Sequence, residues 1–280
     1  MIYDTHCHLN IIRDLEGGRY DCKNSTDEDV KRVINNAKES NISYLMQAGT
    51  FLSEIDREID ICKKFSDKKI DIKCALANHP ENIKETGIVK SSDLINIVKQ
   101  GDNFEYIKAI GETGLDTHKP ENYDFLEEQK KSFENHIEVA IELNLPVIIH
   151  TYGVEAIEKG IDMITSVAKK TDIKFVFHCY DGTYEQAKQI VDNGGIISFS
   201  GTITFKKKTI SREIISNIPL DYIVIETDAP FLAPEPFRGK ENEPSLIKYT
   251  AKYISDYLNI DYDEFCDKTK TNGLKLFKQI

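Results

Sequence analysis

The sequence predicts an α/β protein with the (β/α)8 barrel fold, and three observations lead to this prediction. Its 280 residues are close to the roughly 250 that one such barrel takes. Short apolar segments alternate with longer amphipathic ones, as a chain of βα units requires. Polar residues suited to chemistry follow several of the apolar segments, where the active sites of these barrels lie.

We expect eight parallel strands in chain order. Some of the apolar segments lack a polar face, as expected for strands that helices cover on the outside of a sheet. The predicted strands lie at residues 2–6, 44–48, 72–76, 106–111, 147–150, 175–178, 195–199 and 222–226.

Polar residues and prolines indicate where several helices begin and end. Ser25 and Glu28 have the spacing of a capping box at the start of the first helix. Ser91 precedes another helix in the same manner. A long helix begins near Tyr123, and we expect Pro146 to end it because proline lacks a backbone N–H.

The composition fits one domain that extends over residues 1–280. No apolar run approaches the roughly 18 residues that a membrane span needs, and the first residues lack the pattern of a signal peptide. We therefore expect a cytoplasmic monomer without membrane contact. The net charge of −11 argues against a broad nucleic-acid-binding surface. It does not exclude a phosphate-bearing substrate, because bound metal ions can supply positive charge locally.

Histidines and acidic residues follow the predicted strands along the whole chain. Because the carboxyl ends of barrel strands converge on one mouth, these side chains should share one pocket. Four imidazoles and two carboxylates suit two divalent ions such as Zn, Mn, Ni or Mg, with Glu112 placed to bridge them. The candidate residues are His6, His8, Glu112, His150, His178 and Asp228.

The first predicted strand carries two histidines two residues apart. Side chains alternate between the faces of a strand, so His6 and His8 share one face and can bind one ion. The same alternation places Tyr3 and Cys7 together on the other face, where Cys7 is expected to pack in the core.

Other polar residues leave alternatives open at this stage. Glu226 and Asp228 lie on the same strand face, so alternation does not decide which of them faces the metals. His79 follows the third strand and fits either the pocket or a turn. His118 and His136 fall in a loop and on a helix, where solvent-facing roles are expected.

Four of the eight prolines lie between residues 230 and 244. Proline fixes the backbone angle φ, so this loop should be stiff before any ligand binds. Arg238 and Lys240 in the loop favour an anion clamp, because arginine binds phosphate oxygens in a fork. An ordinary rigid surface loop is the alternative.

The chain resembles the TatD family of metal-dependent deoxyribonucleases, which belongs to the amidohydrolase-like barrels. The ordered set of motifs is more specific than any single one. The motifs are DTHCHL at 4–9, IGETGLD at 110–116, LPVIIH at 145–150, HCYDG at 178–182, SFSG at 198–201 and ETDAPFLAP at 226–234, continuing through RGK at 238–240 to NEP at 242–244.

The resemblance implies a role for each matching residue. One ion would be held by His6, His8, Glu112 and Asp228, and the other by Glu112, His150 and His178. His79 and Arg238 would face the phosphate of the substrate, and Asp228 rather than Glu226 would be the ligand. The implied substrates are DNA, single-stranded DNA included and often cleaved from the 3′ end, or RNA.

Four positions depart from the family pattern, and they bear on the substrate preference. Tyr152 stands where arginine is usual, Thr117 where an aromatic residue is common, Glu241 where a basic residue is common, and Asn78 where a small or apolar residue is common.

Our main hypothesis is hydrolysis of a phosphodiester bond by water that two metal ions activate. Asp228 and Glu112 would be catalytic, with Asp228 orienting the water and accepting its proton. An alternative is a barrel hydrolase of amides, lactones or small phosphoesters, because one fold supports many reactions. A metal-binding protein without useful turnover is the third possibility.

Overall fold

A computed structural model describes residues 1–13 and 22–278 and confirms the predicted (β/α)8 barrel. Eight strands pair side by side in the order of the chain, and every pairing within this sheet is parallel. They are β1 Ile2–Cys7, β2 Ile42–Gln47, β3 Asp71–Leu76, β4 Ile107–Asp116, β5 Val147–Tyr152, β6 Phe175–Phe177, β7 Ile196–Phe199 and β8 Ile223–Ile225.

The barrel closes between β8 and β1. Cys7 and Ala229 form a parallel bridge, and the His8 N–H donates to the Ala229 carbonyl at 2.8 Å. The Asp228 N–H donates to the His6 carbonyl at 2.9 Å. These bonds place the predicted ligands at the carboxyl end of β1 next to those that follow β8, at one mouth of the barrel.

Helices surround the strands in the described part of the chain. The longer ones are α1 Asp27–Glu39, α2 Ile55–Phe65, α3 Ser91–Lys99, α4 Leu126–Leu143, α5 Val154–Ala168, α6 Tyr184–Asp192, α7 Thr209–Asn217, α8 Ile247–Leu258 and α9 Tyr262–Leu276. Short helices cover Ile83–Thr86, Asn103–Tyr106 and Pro120–Tyr123, and Ile11–Arg13 pairs with Cys22–Asn24 as a two-stranded ribbon. Among the helices described here, none has the length and apolarity to cross a membrane.

The predicted cap of α1 is displaced by one residue. The N-cap is Thr26, whose hydroxyl accepts from the Asp29 N–H while the Asp29 carboxylate accepts from the Thr26 N–H. Ser25 instead donates its hydroxyl to the Leu9 carbonyl at 2.6 Å. The capping box was therefore predicted at the correct turn, but its residues are Thr26 and Asp29 and not Ser25 and Glu28.

Two other predicted helix ends also differ. Ser91 is the first residue of α3, and no side-chain cap precedes it. Asn144, rather than Pro146, ends α4, because its left-handed backbone (φ 52°) turns the chain away from the helix.

The expectation that Tyr3 and Cys7 share one face of β1 is wrong. The pairing of β1 with β2 shifts register between Asp4 and Cys7. Tyr3 packs in an inner cluster with Met46, whereas Cys7 packs in the larger core that includes helix residues. Strict alternation therefore ends before the strand reaches its carboxyl end.

The inner cluster fills one half of the barrel and leaves the other half for the pocket. One residue from each strand except β7 lies fully in it, and the ring of Phe277, just after α9, is tilted by 48° against that of Tyr3 with the centroids 5.7 Å apart. Gly273 in α9 packs against Tyr3, where a Cβ would lie 2.8 Å from a ring carbon. The C-terminal helix thus closes the end of the barrel opposite the predicted site.

His136 is buried in α4, so its expected solvent-facing position is wrong. Its Nδ1 lies 2.7 Å from the Ser132 carbonyl, and its Nε2 accepts from the Asn78 N–H at 3.1 Å. This pattern requires a neutral ring with the proton on Nδ1. Burial lowers the pKa of His136 to about 4.

We predict that His136 makes the protein less stable in acid. The unfolded chain binds the proton near the ordinary pKa of 6.5, above the folded value of about 4, so stability is lost as pH falls through this window. Between pH 8 and pH 5, the free energy of unfolding of the wild type should fall by about 2 kcal/mol more than that of His136→Gln. Urea denaturation of both proteins measures this difference. Equal pH dependence in the two proteins would contradict the prediction.

Candidate metal centre

The six predicted ligand residues meet at the mouth of the barrel around the Glu112 carboxylate. Its Oε2 lies 2.7 Å from His178 Nε2, 3.4 Å from His150 Nδ1 and 3.5 Å from His6 Nε2. Its Oε1 lies 3.7 Å from His8 Nε2. Histidines from β1, β5 and the turn after β6 therefore surround one carboxylate from β4.

The geometry separates the two acidic residues that alternation left equivalent. Asp228 Oδ1 lies 3.5 Å from His8 Nε2 and 3.6 Å from His6 Nε2. Glu226 lies behind His178: its Oε1 accepts from the Cys179 N–H at 2.8 Å and is 3.4 Å from His178 Nδ1. Asp228 therefore faces the pair of histidines from β1, as the resemblance implied.

Two of the imidazoles have a hydrogen-bond acceptor on the side away from Glu112. The Ala48 carbonyl lies 3.2 Å from His8 Nδ1, and Asp116 Oδ2 lies 3.0 Å from His150 Nε2. Glu226 Oε1 lies 3.4 Å from His178 Nδ1, which has no hydrogen-bond partner among the described residues. Acceptors in this position hold the ring proton on the far nitrogen and turn the lone pair of the near nitrogen inward, as they do for histidines that bind metals.

The cluster attracts positive charge. Burial by itself would raise the pKa of the Glu112 carboxyl, but the charges of His178 and His6 and the hydrogen bonds to the ring nitrogens lower the pKa well below its usual value. Burial likewise opposes the charge of His150, yet Asp116 and Glu112 raise the pKa of His150 to about 9. The same carboxylate raises the pKa of His178.

His6 provides the test of whether a cation fits. It is buried, and neither of its ring nitrogens has a hydrogen-bond partner among the described residues. An unsatisfied buried polar group costs about 1–3 kcal/mol. The gaps of 3.5 and 3.6 Å from its Nε2 to Glu112 and Asp228 are too long for strong hydrogen bonds, and a cation bound between these atoms would satisfy all three groups.

Several groups of ligand atoms at this mouth lie within 4.8 Å of one another. Imidazole nitrogens and carboxylate oxygens suit Zn, Mn, Ni and related divalent ions. The groups in the described residues are His6 with His8 and Asp228, His79 with Glu112 and His150, and His6 with His178 and Glu226; Glu81, Asp116 and His118 form a further one beside them.

The two residues expected to face the substrate lie in different places. His79 is buried at the edge of the centre, with Nε2 4.0 Å from Glu112 Oε2 and its ring 4.4 Å from that of His150. Arg238 is exposed outside the cluster, and its guanidinium lies 4.3 Å above the Phe205 ring. The structure thus brings only His79 next to the proposed ligands.

Two residues that support the site were given no role from the sequence. Asp4 accepts from the N–H and hydroxyl of Thr227, at 2.9 and 2.6 Å, and so ties β1 to the segment that carries Asp228. Asp116 holds His150 from behind. Its signal was available, because it ends a motif that follows an apolar segment, but β4 was predicted to stop five residues earlier.

Comparisons with known proteins agree with this geometry. The family model described as TatD related DNase matches residues 3–278. YabD of Bacillus subtilis, named an uncharacterized metal-dependent hydrolase, is 31% identical over 278 residues, covering 99% of each chain. YcfH of Escherichia coli K12, named likewise, is 32% identical over 277 residues, covering 99% of this chain and 95% of its own.

A solved structure shows the same fold. The TatD homolog YJJV of Escherichia coli K12 superposes with a TM-score of 0.82 at 22% identity, covering 99% of this chain and 98% of its own. Together with the match along nearly the whole sequence, these findings show that the chain belongs to the TatD family of metal-dependent hydrolases.

Proposed function

We propose that this chain hydrolyses phosphodiester bonds of DNA and removes nucleotides from the 3′ end. Two divalent ions would be held around Glu112. The proposal rests on one observation above all. The imidazoles of His8 and His150 have hydrogen-bond acceptors at their far nitrogens and turn their near nitrogens towards one carboxylate, that of Glu112. One ion would be held by His6, His8, Glu112 and Asp228, and the other by Glu112, His150 and His178.

The acidic residues have different parts in this reaction. When bound, the ions polarise the phosphoryl group and make water a better nucleophile at neutral pH. Burial opposes the charge of Asp228, but a hydrogen bond with His8 and the charge of His6 lower the pKa of Asp228, so its carboxylate is anionic. Its side chain is 13% exposed against 4% for Glu112. Asp228 can therefore orient the attacking water and accept its proton, while the more deeply buried Glu112 would help to hold both ions.

His79 is suited to hold a phosphoryl oxygen. Its Nδ1 accepts from the Glu81 N–H at 3.2 Å, so the neutral ring carries its proton on Nε2. Burial and the neighbouring charge of His150 lower the pKa of His79 to about 4, which keeps the ring neutral. The Nε2–H then points towards the centre as a donor.

Arg238 is proposed to bind a phosphate farther along the strand. It is exposed, and it lines a cavity of about 150 Å³ with Arg13 and Lys240. This concentration of positive side chains stands out in a chain of net charge −11. The ring of Phe205 packs against the guanidinium of Arg238 in a cation–π contact, which leaves its positive charge available.

A substrate panel separates this function from hydrolysis of amides, lactones or small phosphoesters. Single-stranded DNA labelled at the 5′ or the 3′ end, matched RNA, duplex DNA and small-molecule substrates should be assayed with Mg, Mn and Zn. Stepwise shortening from the 3′ end of DNA supports the proposal. Turnover of a small ester or cyclic amide with inert DNA and RNA would contradict it.

We predict that Asp228→Asn lowers the rate of cleavage of single-stranded DNA by about 10²–10⁴-fold, because the variant cannot accept the proton of water. His6→Ala should lose activity as well, because it removes a ligand. Asp221→Asn is the matched control: Asp221 is exposed and paired with Lys268 before β8, so this variant should keep the wild-type rate. Wild-type rates in both site variants would refute the mechanism.

We also predict that divalent ions stabilise the folded protein through this centre. Added to chelator-treated wild type at 100 times the dissociation constant, Mn or Zn should increase the free energy of unfolding by about 2.7 kcal/mol per site. Thermal melting measures the effect, which should shrink in His150→Ala and persist in Asp221→Asn. Melting temperatures that do not change when the metal is added, or that rise equally in all three proteins, would argue against the centre.

A further inference from the structure

Two exposed aromatic rings form a stack at the rim of the mouth. The rings of Tyr152 and His118 are 4.3 Å apart between centroids and only 14° from parallel. Tyr152 is 53% exposed, whereas the His118 side chain is 25% exposed. Tyr152 is therefore the outer ring, with His118 beneath it. A tyrosine this exposed gains little from burial, so core packing does not account for its position.

The stack is joined to the proposed metal centre through one carboxylate. Asp116 Oδ1 lies 2.6 Å from His118 Nδ1 and accepts from the Asn122 amide at 2.9 Å. Its other oxygen, Oδ2, lies 3.0 Å from His150 Nε2. The group that orients a proposed metal ligand thus also fixes the inner ring of the stack.

The backbone segments that carry the two rings are fixed against each other. The Thr117 N–H donates to the Tyr152 carbonyl at 2.8 Å, so the segments after β4 and β5 lie together. Gly153 makes this approach possible: it has a φ of 103°, and a Cβ there would lie 2.4 Å from Thr117 Oγ1. A ring held in this way loses little conformational freedom when a ligand stacks on it.

We infer that Tyr152, supported by His118, is a stacking platform for an unpaired base of the nucleic-acid substrate. The inference rests on the proposed function. Aromatic rings bind bases of any sequence because every base has a flat π face. A base in a duplex is already stacked and paired, so the platform favours single-stranded ends. It would hold the base while its phosphate reaches the centre next to His150.

The test compares single-stranded oligonucleotides that carry bases with matched oligonucleotides whose terminal nucleotides at both ends are abasic. The Mn-loaded wild type should cleave the base-bearing strand with a kcat/KM about tenfold higher. In Tyr152→Leu this ratio should fall towards one, with the rate on the abasic strand unchanged. Tyr152→Phe should keep the wild-type ratio, because it keeps the ring.

Tyr257→Leu is the matched control. Tyr257 is also an exposed tyrosine stacked on another ring, that of Tyr253, but it lies on the outer helix α8. This variant should keep the wild-type ratio. If Tyr152→Leu also keeps the wild-type ratio, the platform is refuted. Cleavage of the strands by these proteins would still support the proposed function.

A binding assay distinguishes failure of the platform from failure of the proposed function. An oligonucleotide with 2-aminopurine at its ends loses fluorescence when that base stacks on an aromatic ring. If the wild type cleaves no phosphodiester but quenches this probe, and Tyr152→Leu does not, the nuclease function is wrong and the base-binding site stands. If the wild type neither cleaves nor quenches, both are overturned.

Discussion

The arrangement of this site depends on one anionic carboxylate buried among imidazoles. Glu112 lies on β4, and the imidazoles that face it come from β1, from β5 and from the turn after β6. Such a group is costly to bury unless positive charge surrounds it. The imidazoles of His178 and His6 supply that charge, and closure of the barrel between β1 and β8 brings Asp228 next to His6 and His8. Fold and site therefore depend on the same set of backbone bonds.

Much of the fold could be predicted because its signals are local. All eight strands were recognisable as short apolar segments between amphipathic ones, and several of them are apolar on both faces, as strands covered by helices are. Their ends were less accurate: β4 continues to Asp116 because Thr113–Asp116 pairs with β5, and such pairing is not visible in β4 alone. Helix ends were misplaced for a related reason. Asn144 ends α4 through a left-handed backbone, which the sequence signals more weakly than the following proline.

The candidate site could be predicted in its centre and less so around it. Histidines after apolar strands are uncommon enough to stand out, and they do meet around Glu112. The supporting residues required the tertiary structure. Asp116 acts through a bond to a ring on the neighbouring strand, and His136 is buried on what the sequence reads as an ordinary helix. The loop that carries Arg238 was recognised in the sequence, but the contact of its guanidinium with the Phe205 ring was not.

Diffraction at the absorption edge of a bound metal tests the central claim most directly. Crystals soaked in Mn or Zn should show two anomalous peaks, one on each side of the Glu112 carboxylate. The first peak should lie among His6, His8 and Asp228 and the second beside His150 and His178, with bonds from zinc to nitrogen of about 2.0–2.1 Å. A map without peaks at this mouth, with the same side chains in place, would contradict the account.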